Sequence, residues 1–93
     1  MHNETTLTGV LVTGKVQGVY YRAWTQEEAR SRGLRGWVKN EEDGSVRAVL
    51  SGPEEAVADM LRAMEKGPPE AKVDRVEPEP AKAPEQDGFE ILP

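Results

Sequence analysis

The sequence contains no cysteine and a single histidine, His2. The first absence removes disulfide staples, thiolate nucleophiles and cysteine-based zinc or redox centres, while leaving the compartment open. His2 stands at a chain end, where segments fray, and is read as non-catalytic. No apolar run approaches the ~20 residues of a membrane span and no secretory hydrophobic region follows Met1, so a soluble cytoplasmic protein is expected. Positive charge is also short: twelve Lys and Arg stand against seventeen Asp and Glu, a net charge of −5. That balance argues against sequence-independent nucleic-acid binding, which draws its affinity from phosphate neutralisation. It also means that any anionic ligand needs a positive field built locally. Hydrophobic residues make up 37 % of the 93 residues, enough for one packed pair of layers but not for two cores. One domain over residues 1–93 is expected.

The chain divides at its glycines and prolines. Residues 6–13 are rich in β-branched side chains and read as a strand. Gly14 to Gly18 form a short loop, and from Val19 or Tyr20 to Arg32 no Gly or Pro interrupts a helix. Tyr21, Thr25 and Ala29 fall on one face of it, and Gly33 is a good stop behind Arg30 and Arg32. Leu34–Asn40 and Ser45–Leu50 read as strands joined by a hairpin, since Gly44 after Glu41-Glu42-Asp43 can take positive φ. Pro53 suits the first position of a second helix, with Glu54 and Glu55 at its positive end. Ala56, Val57, Met60, Leu61 and Met64 keep a 3.6 period, and Gly67-Pro68-Pro69 ends the run. Val73–Val76 reads as a fourth strand, 77–88 with its three prolines as a loop or loose edge, and Phe89–Leu92 as a last short strand. The order is β-α-β-β-α-β with a terminal β. Right-handed crossovers then give an α+β, ferredoxin-like sandwich: a four-stranded antiparallel sheet with both helices on one face.

The chemistry is concentrated between the first strand and first helix. Gly14-Lys15-Val16-Gln17-Gly18-Val19-Tyr20-Tyr21-Arg22 holds two glycines where the backbone must turn sharply and aim several N–H groups into one concavity. Such a nest at the positive end of a helix binds an anion without a positive net charge. Lys15 and Arg22 flank it, and Arg22 lies close enough to fold a bidentate guanidinium over the same anion. The acidic chain thus has a local positive field sized for one phosphate.

These residues resemble the acylphosphatase family. Its Gly-(Lys/Arg)-Val-Gln-Gly-Val-aromatic-aromatic-Arg loop is matched by Gly14 to Arg22, and its helix threonine by Thr25. Its Gly-Trp-Val-(Lys/Arg)-Asn strand and Asp-Gly turn are matched by Gly36-Trp37-Val38-Lys39-Asn40 and Asp43-Gly44. Gly67-Pro68 and the closing Phe89-Glu90-Ile91 follow in order. The resemblance implies hydrolysis of a carboxyl–phosphate anhydride without metal or cofactor. Arg22 would grip the phosphoryl oxygens beside the amides of Lys15, Val16, Gln17, Gly18, Val19 and Tyr20, and Asn40 would orient the attacking water. Gly14 and Thr25 would support them, Thr25 by a hydrogen bond to Asn40. The expected partners are a small acyl phosphate and inorganic phosphate as product and inhibitor, with a monomer and no nucleic acid or membrane.

Elementary chemistry agrees. An acyl phosphate has a carboxylate leaving group and needs no strong general acid, and its loose transition state calls chiefly for positioning and charge stabilisation. Asn40 is too weakly basic to take a proton, which leaves the substrate's own phosphoryl oxygen as acceptor.

Blander and rival readings fail on particular residues. Alone, Arg22 reads as an exposed helix arginine and Asn40 as a turn residue; their occurrence with the glycine loop overturns both. Gly9-(x4)-Gly14-Lys15 misses a nucleotide loop because Val16 stands where Ser or Thr must hold Mg²⁺. Trp24 and Trp37 read as packing or rim residues, and the acids at 27–28, 41–43 and 54–55 as solvated faces and caps. An RNA-binding module would need exposed aromatics on the third strand, and Ser45–Leu50 has none. The remaining rival is a non-catalytic domain holding acyl or carbamoyl phosphate for a larger carbamoyl-transfer protein; a chain ending at Pro93 favours the free enzyme.

Overall fold

A computed structural model describes residues 5–93, so His2 lies outside the described residues. The elements are β1 (Thr5–Lys15), α1 (Tyr21–Ser31), β2 (Arg35–Asn40), β3 (Val46–Pro53), α2 (Glu54–Lys66), β4 (Lys72–Glu79) and β5 (Phe89–Ile91). The sheet runs β4-β1-β3-β2-β5. Its first four strands pair antiparallel, and β5 lies parallel to β2 at the edge. Each helix carries the chain across one intervening strand, as the ferredoxin-like reading requires.

Strand alternation decides which face is buried. Val10 lies opposite Ala48, Val12 opposite Val46, and Val38 also beside Ala48, so all five share one face. None of these side chains has any exposed surface. α1 lays Tyr21, Thr25 and Ala29 on that face and α2 lays Val57, Met60 and Met64, the stripes their periodicity sets out. Each fully buried aliphatic side chain contributes about 1.5–3 kcal/mol. The other face carries Leu11, Trp37, Lys39, Arg47 and Val49, and the segment from Glu79 to Gln86 folds across part of it.

Several boundaries differ from the sequence reading: β1 and β3 are longer, β3 running on to Pro53, and two differences fall at prolines. β4 runs to Glu79, through Pro78, rather than ending at Val76. β4 is an edge strand, and a proline costs little where its missing N–H would face away from the sheet. Pro53 is the residue before α2 rather than its first member, with φ −58 and ψ 142 still extended.

The two helices meet at one buried hydrogen bond. An α-helix would satisfy the Met64 carbonyl with the N–H of residue 68, but residue 68 is proline and has none. The Tyr21 hydroxyl donates to that carbonyl instead, at 2.8 Å. Burial raises the Tyr21 phenol above its ordinary value of 10.0. Above that pH an unfolded phenol releases a proton that the folded one keeps, so stability falls as pH rises. Urea unfolding between about pH 8 and 11 should show this loss in the unaltered protein and a flatter profile in Tyr21→Phe. That variant should also lose about 1 kcal/mol at neutral pH, since the Met64 carbonyl loses its donor. Parallel pH profiles for the two proteins would refute the assignment.

Candidate active site

β1 ends in an irregularity. Its pairing with β4 slips between Thr13 and Gly14, where Gly14 has φ 120 and a Cβ would run into the backbone of Lys72 and Asp74. The chain leaves the sheet after Lys15 and crosses to α1. Val16 is 1 % exposed and Val19 7 %, so the loop hangs from two apolar anchors sunk in the core. Between and after them the backbone turns left-handed, at Gly18 (φ 76) and Tyr20 (φ 68). Tyr20 is the residue before α1, and no side chain caps that helix and no acid sits in its first turn. The positive end of the helix dipole therefore stands open to an anion.

The side chain of Gln17 does something the sequence does not announce. Its Nε2 donates to the Glu41 carbonyl at 2.9 Å and to the Ser45 carbonyl at 2.8 Å. Those residues form the mouth of the β2–β3 hairpin, which the Glu41 N–H closes by donating to Ser45 O at 2.9 Å. Asp43 braces the turn by accepting from the Ser45 hydroxyl at 2.6 Å and the Ser45 N–H at 2.9 Å, which holds its carboxyl below the usual range. Glu41 pairs with Arg47 at 2.9 Å, and Arg47 with Glu79 at 2.7 Å. Gln17 thus fastens the loop to the hairpin that carries Asn40.

Asn40 is the last residue of β2 and faces the helices, in line with Val38. Its Oδ1 is buried and has no hydrogen-bond partner, and the same is true of the Thr25 hydroxyl. The expected bond from Thr25 to Asn40 is therefore not made. Thr25 is fully buried within the α1 core face, and its hydroxyl finds no acceptor there.

Val16, Gln17, Gly18, Tyr20, Arg22 and Asn40 line one cavity of about 360 Å³, so eighteen positions of sequence separation between Arg22 and Asn40 close up in space. Lys15, Val19, Gly14 and Thr25 do not line it. Tyr21, Ala23 and Ile91 complete its walls. The signal for Ile91 is its register: it pairs beside Val38, on the strand that presents Asn40. Arg22 is half-buried and is the one charged side chain of the lining. Among the described residues it pairs with no carboxylate, whereas Arg32, Arg47, Arg62 and Arg75 all do. Trp24 packs against Tyr21 and Trp37 lies beneath Lys39 on the helix-free face, so neither enters the cavity. Among the described residues no three His, Cys, Asp or Glu side chains gather as a metal site would require.

Replacing Gln17 by leucine keeps bulk but removes both donors. Two net hydrogen bonds correspond to about 1–2 kcal/mol, which urea unfolding should register as a lower midpoint with an unchanged slope. Unaltered stability in Gln17→Leu would show that the loop is held by its valines alone.

Comparison with known proteins places this arrangement. A family model described as Acylphosphatase matches residues 8–91. An acylphosphatase of Rhodospirillum rubrum is 52 % identical over 84 residues, covering 90 % of this chain and 92 % of that protein. One of Azorhizobium caulinodans is 55 % identical over 75 residues, 81 % of each chain. Among solved structures, an acylphosphatase from Coxiella burnetii gives a TM-score of 0.88 at 33 % identity, covering 95 % of this chain and 93 % of that one. The Bacillus subtilis acylphosphatase gives 0.87 at 36 % identity, covering 96 % and 99 %. T. kodakarensis HypF gives 0.81 at 30 % identity, over 92 % of this chain but 12 % of that one. By its matched residues, its fold and its relatives, the chain belongs to the acylphosphatase family.

Proposed function

We propose that the cavity binds the phosphoryl group of an acyl phosphate between Arg22 and the backbone N–H groups of the loop, and that Asn40 positions the attacking water. The family reaction is hydrolysis of the carboxyl–phosphate anhydride to carboxylate and inorganic phosphate. The observation that carries the assignment of residues is the convergence on one cavity of an uncapped helix N-terminus, an arginine without a carboxylate partner and the Asn40 side chain.

Each part has a chemical task. The guanidinium and the loop amides take charge from the equatorial oxygens as the bond to the acyl oxygen lengthens. The side-chain amide of Asn40 orients a water by hydrogen bonding to it, which turns the water's lone pair toward phosphorus. The new P–O bond forms as the P–O bond to the acyl group breaks, and the carboxylate departs with that electron pair. The second water proton passes to a phosphoryl oxygen of the substrate. No step calls for a metal. Lys15 lies outside the lining and would add only to the general field. The reading extends to a monomeric cytoplasmic enzyme inhibited by its own product, phosphate. The likeness to a segment of HypF favours one rival, a domain that holds an acyl or carbamoyl phosphate without cleaving it; release of phosphate from an acyl phosphate decides between them.

Arg22→Ala should weaken both phosphate binding and turnover, with a loss in rate of about 10²–10³ for one missing charge-stabilising donor. Asn40→Ala should lower kcat by a similar factor while phosphate affinity stays within a few-fold, because its contact forms on the way to the transition state. Calorimetry with inorganic phosphate and steady-state kinetics on folded variants check both. Normal turnover in Asn40→Ala, or an equal loss of phosphate binding in both variants, would refute the division of roles. Activity should survive a chelator; loss restored by Mg²⁺ or Zn²⁺ would overturn the metal-free step.

A further inference from the structure

Facing strands of this sheet set like charges opposite one another at two places among the described residues. Lys39 on β2 lies opposite Arg47 on β3, and the Glu41 carboxylate sits against both, at 4.0 and 2.9 Å. Lys15, the last residue of β1, lies opposite Lys72, the first residue of β4. Directly opposed side chains start about 4.5–5.5 Å apart, and like charges so placed destabilise a sheet. No carboxylate relieves this second pair. Among the described residues neither lysine enters an ion pair, and both are exposed. Glu70 and Asp74, two positions to either side of Lys72, are exposed as well and do not close on it. In a chain of net charge −5, two neighbouring ammonium groups left without a counter-charge reverse the sign locally.

Their place gives that reversal a use. Val16, the residue after Lys15, lines the cavity that holds Arg22 and Asn40. Lys72 is fixed to the same root of the loop, because Gly14 lies so close to the Lys72 carbonyl that a Cβ would overlap it. Neither lysine lines the cavity, so the pair acts by its field rather than by contact. Such a field works on an anion as it approaches and settles, and falls off within about 10 Å at 0.1 M salt. We propose that Lys15 and Lys72 form a cationic collar at the root of the phosphate loop that draws in the anionic acyl phosphate, at some loss of stability. The inference rests on placing the phosphoryl group at Arg22 and the loop. A field felt equally by bound substrate and transition state lowers KM and leaves kcat alone.

The test measures kcat and KM for benzoyl phosphate at about 10 mM and about 500 mM salt, with urea unfolding at the lower value. It compares the unaltered protein with Lys72→Gln, Lys72→Glu and Lys82→Gln. Lys82 is exposed on the segment that crosses the helix-free face, and its loss changes net charge as Lys72→Gln does. At low salt kcat/KM should fall about two- to fivefold in Lys72→Gln and further in Lys72→Glu, through KM, and the differences should shrink at high salt. Unfolding midpoints should rise in the same order, since glutamine ends the repulsion and glutamate pairs with Lys15. Lys82→Gln should keep the kcat/KM of the unaltered protein. Undiminished kcat/KM in Lys72→Glu, a loss that lies in kcat or persists at high salt, an equal loss in Lys82→Gln, or midpoints that fail to rise would overturn the collar and leave the phosphate cradle standing. If inorganic phosphate binds without turnover of benzoyl phosphate, its Kd carries the same comparison. If the unaltered protein neither cleaves benzoyl phosphate nor binds inorganic phosphate, the acyl-phosphate reading itself fails and the collar falls with it.

Discussion

The site depends on one amide group. Gln17 Nε2 reaches out of the loop after β1 and holds two carbonyls at the mouth of the β2–β3 hairpin. The loop positions Arg22 and the hairpin positions Asn40, and the two segments belong to different parts of the chain. Their other links are indirect, through the sheet and the core. A glutamine suits the task because its amide carries two N–H donors on one nitrogen, enough to serve two acceptors at once. On its far side the hairpin is held by ion pairs from Arg47 to Glu41 and Glu79, so the mouth cannot easily drift toward or away from the loop.

This arrangement answers the difficulty that composition raises. An acidic protein attracts phosphate poorly from a distance, and five of its twelve cations, Arg32, Lys39, Arg47, Arg62 and Arg75, are engaged with carboxylates among the described residues. The cavity instead relies on short-range groups: an open helix terminus, backbone amides turned by left-handed residues, and one cation withheld from pairing. Such groups act at hydrogen-bond distance, where net charge hardly matters, and they are already oriented before a ligand arrives.

Much of this was legible in the residue order. The glycines at 14 and 18, the buried stripe of α1 and the Asp43-Gly44 turn each act through local geometry, and local geometry is what spacing encodes. Arg22 was legible because it follows directly on the loop. What escaped were facts of tertiary placement. The prolines of 77–88 left a loop or a loose edge open, and only the edge position of β4 decides for a strand as far as Glu79. Ile91 acquires its place from a parallel pairing with β2, and Gln17 finds its acceptors more than twenty residues away. Thr25 was legible as a buried helix residue but not as one whose hydroxyl finds no partner, since that turns on distances the spacing of residues does not set.

The hydrogen bond from Tyr21 to Met64 ties two distant choices of residue together. Pro68 can stand where it does because a hydroxyl from the other helix has taken over the task of the N–H it lacks. A phenylalanine at position 21 would leave the Met64 carbonyl bare, unless position 68 again offered an N–H. Through divergence, then, these two sites are not free to change singly: tyrosine with proline and phenylalanine with a non-proline residue are the compatible pairs, and the mixed state of phenylalanine with proline is the one that sequence drift should avoid.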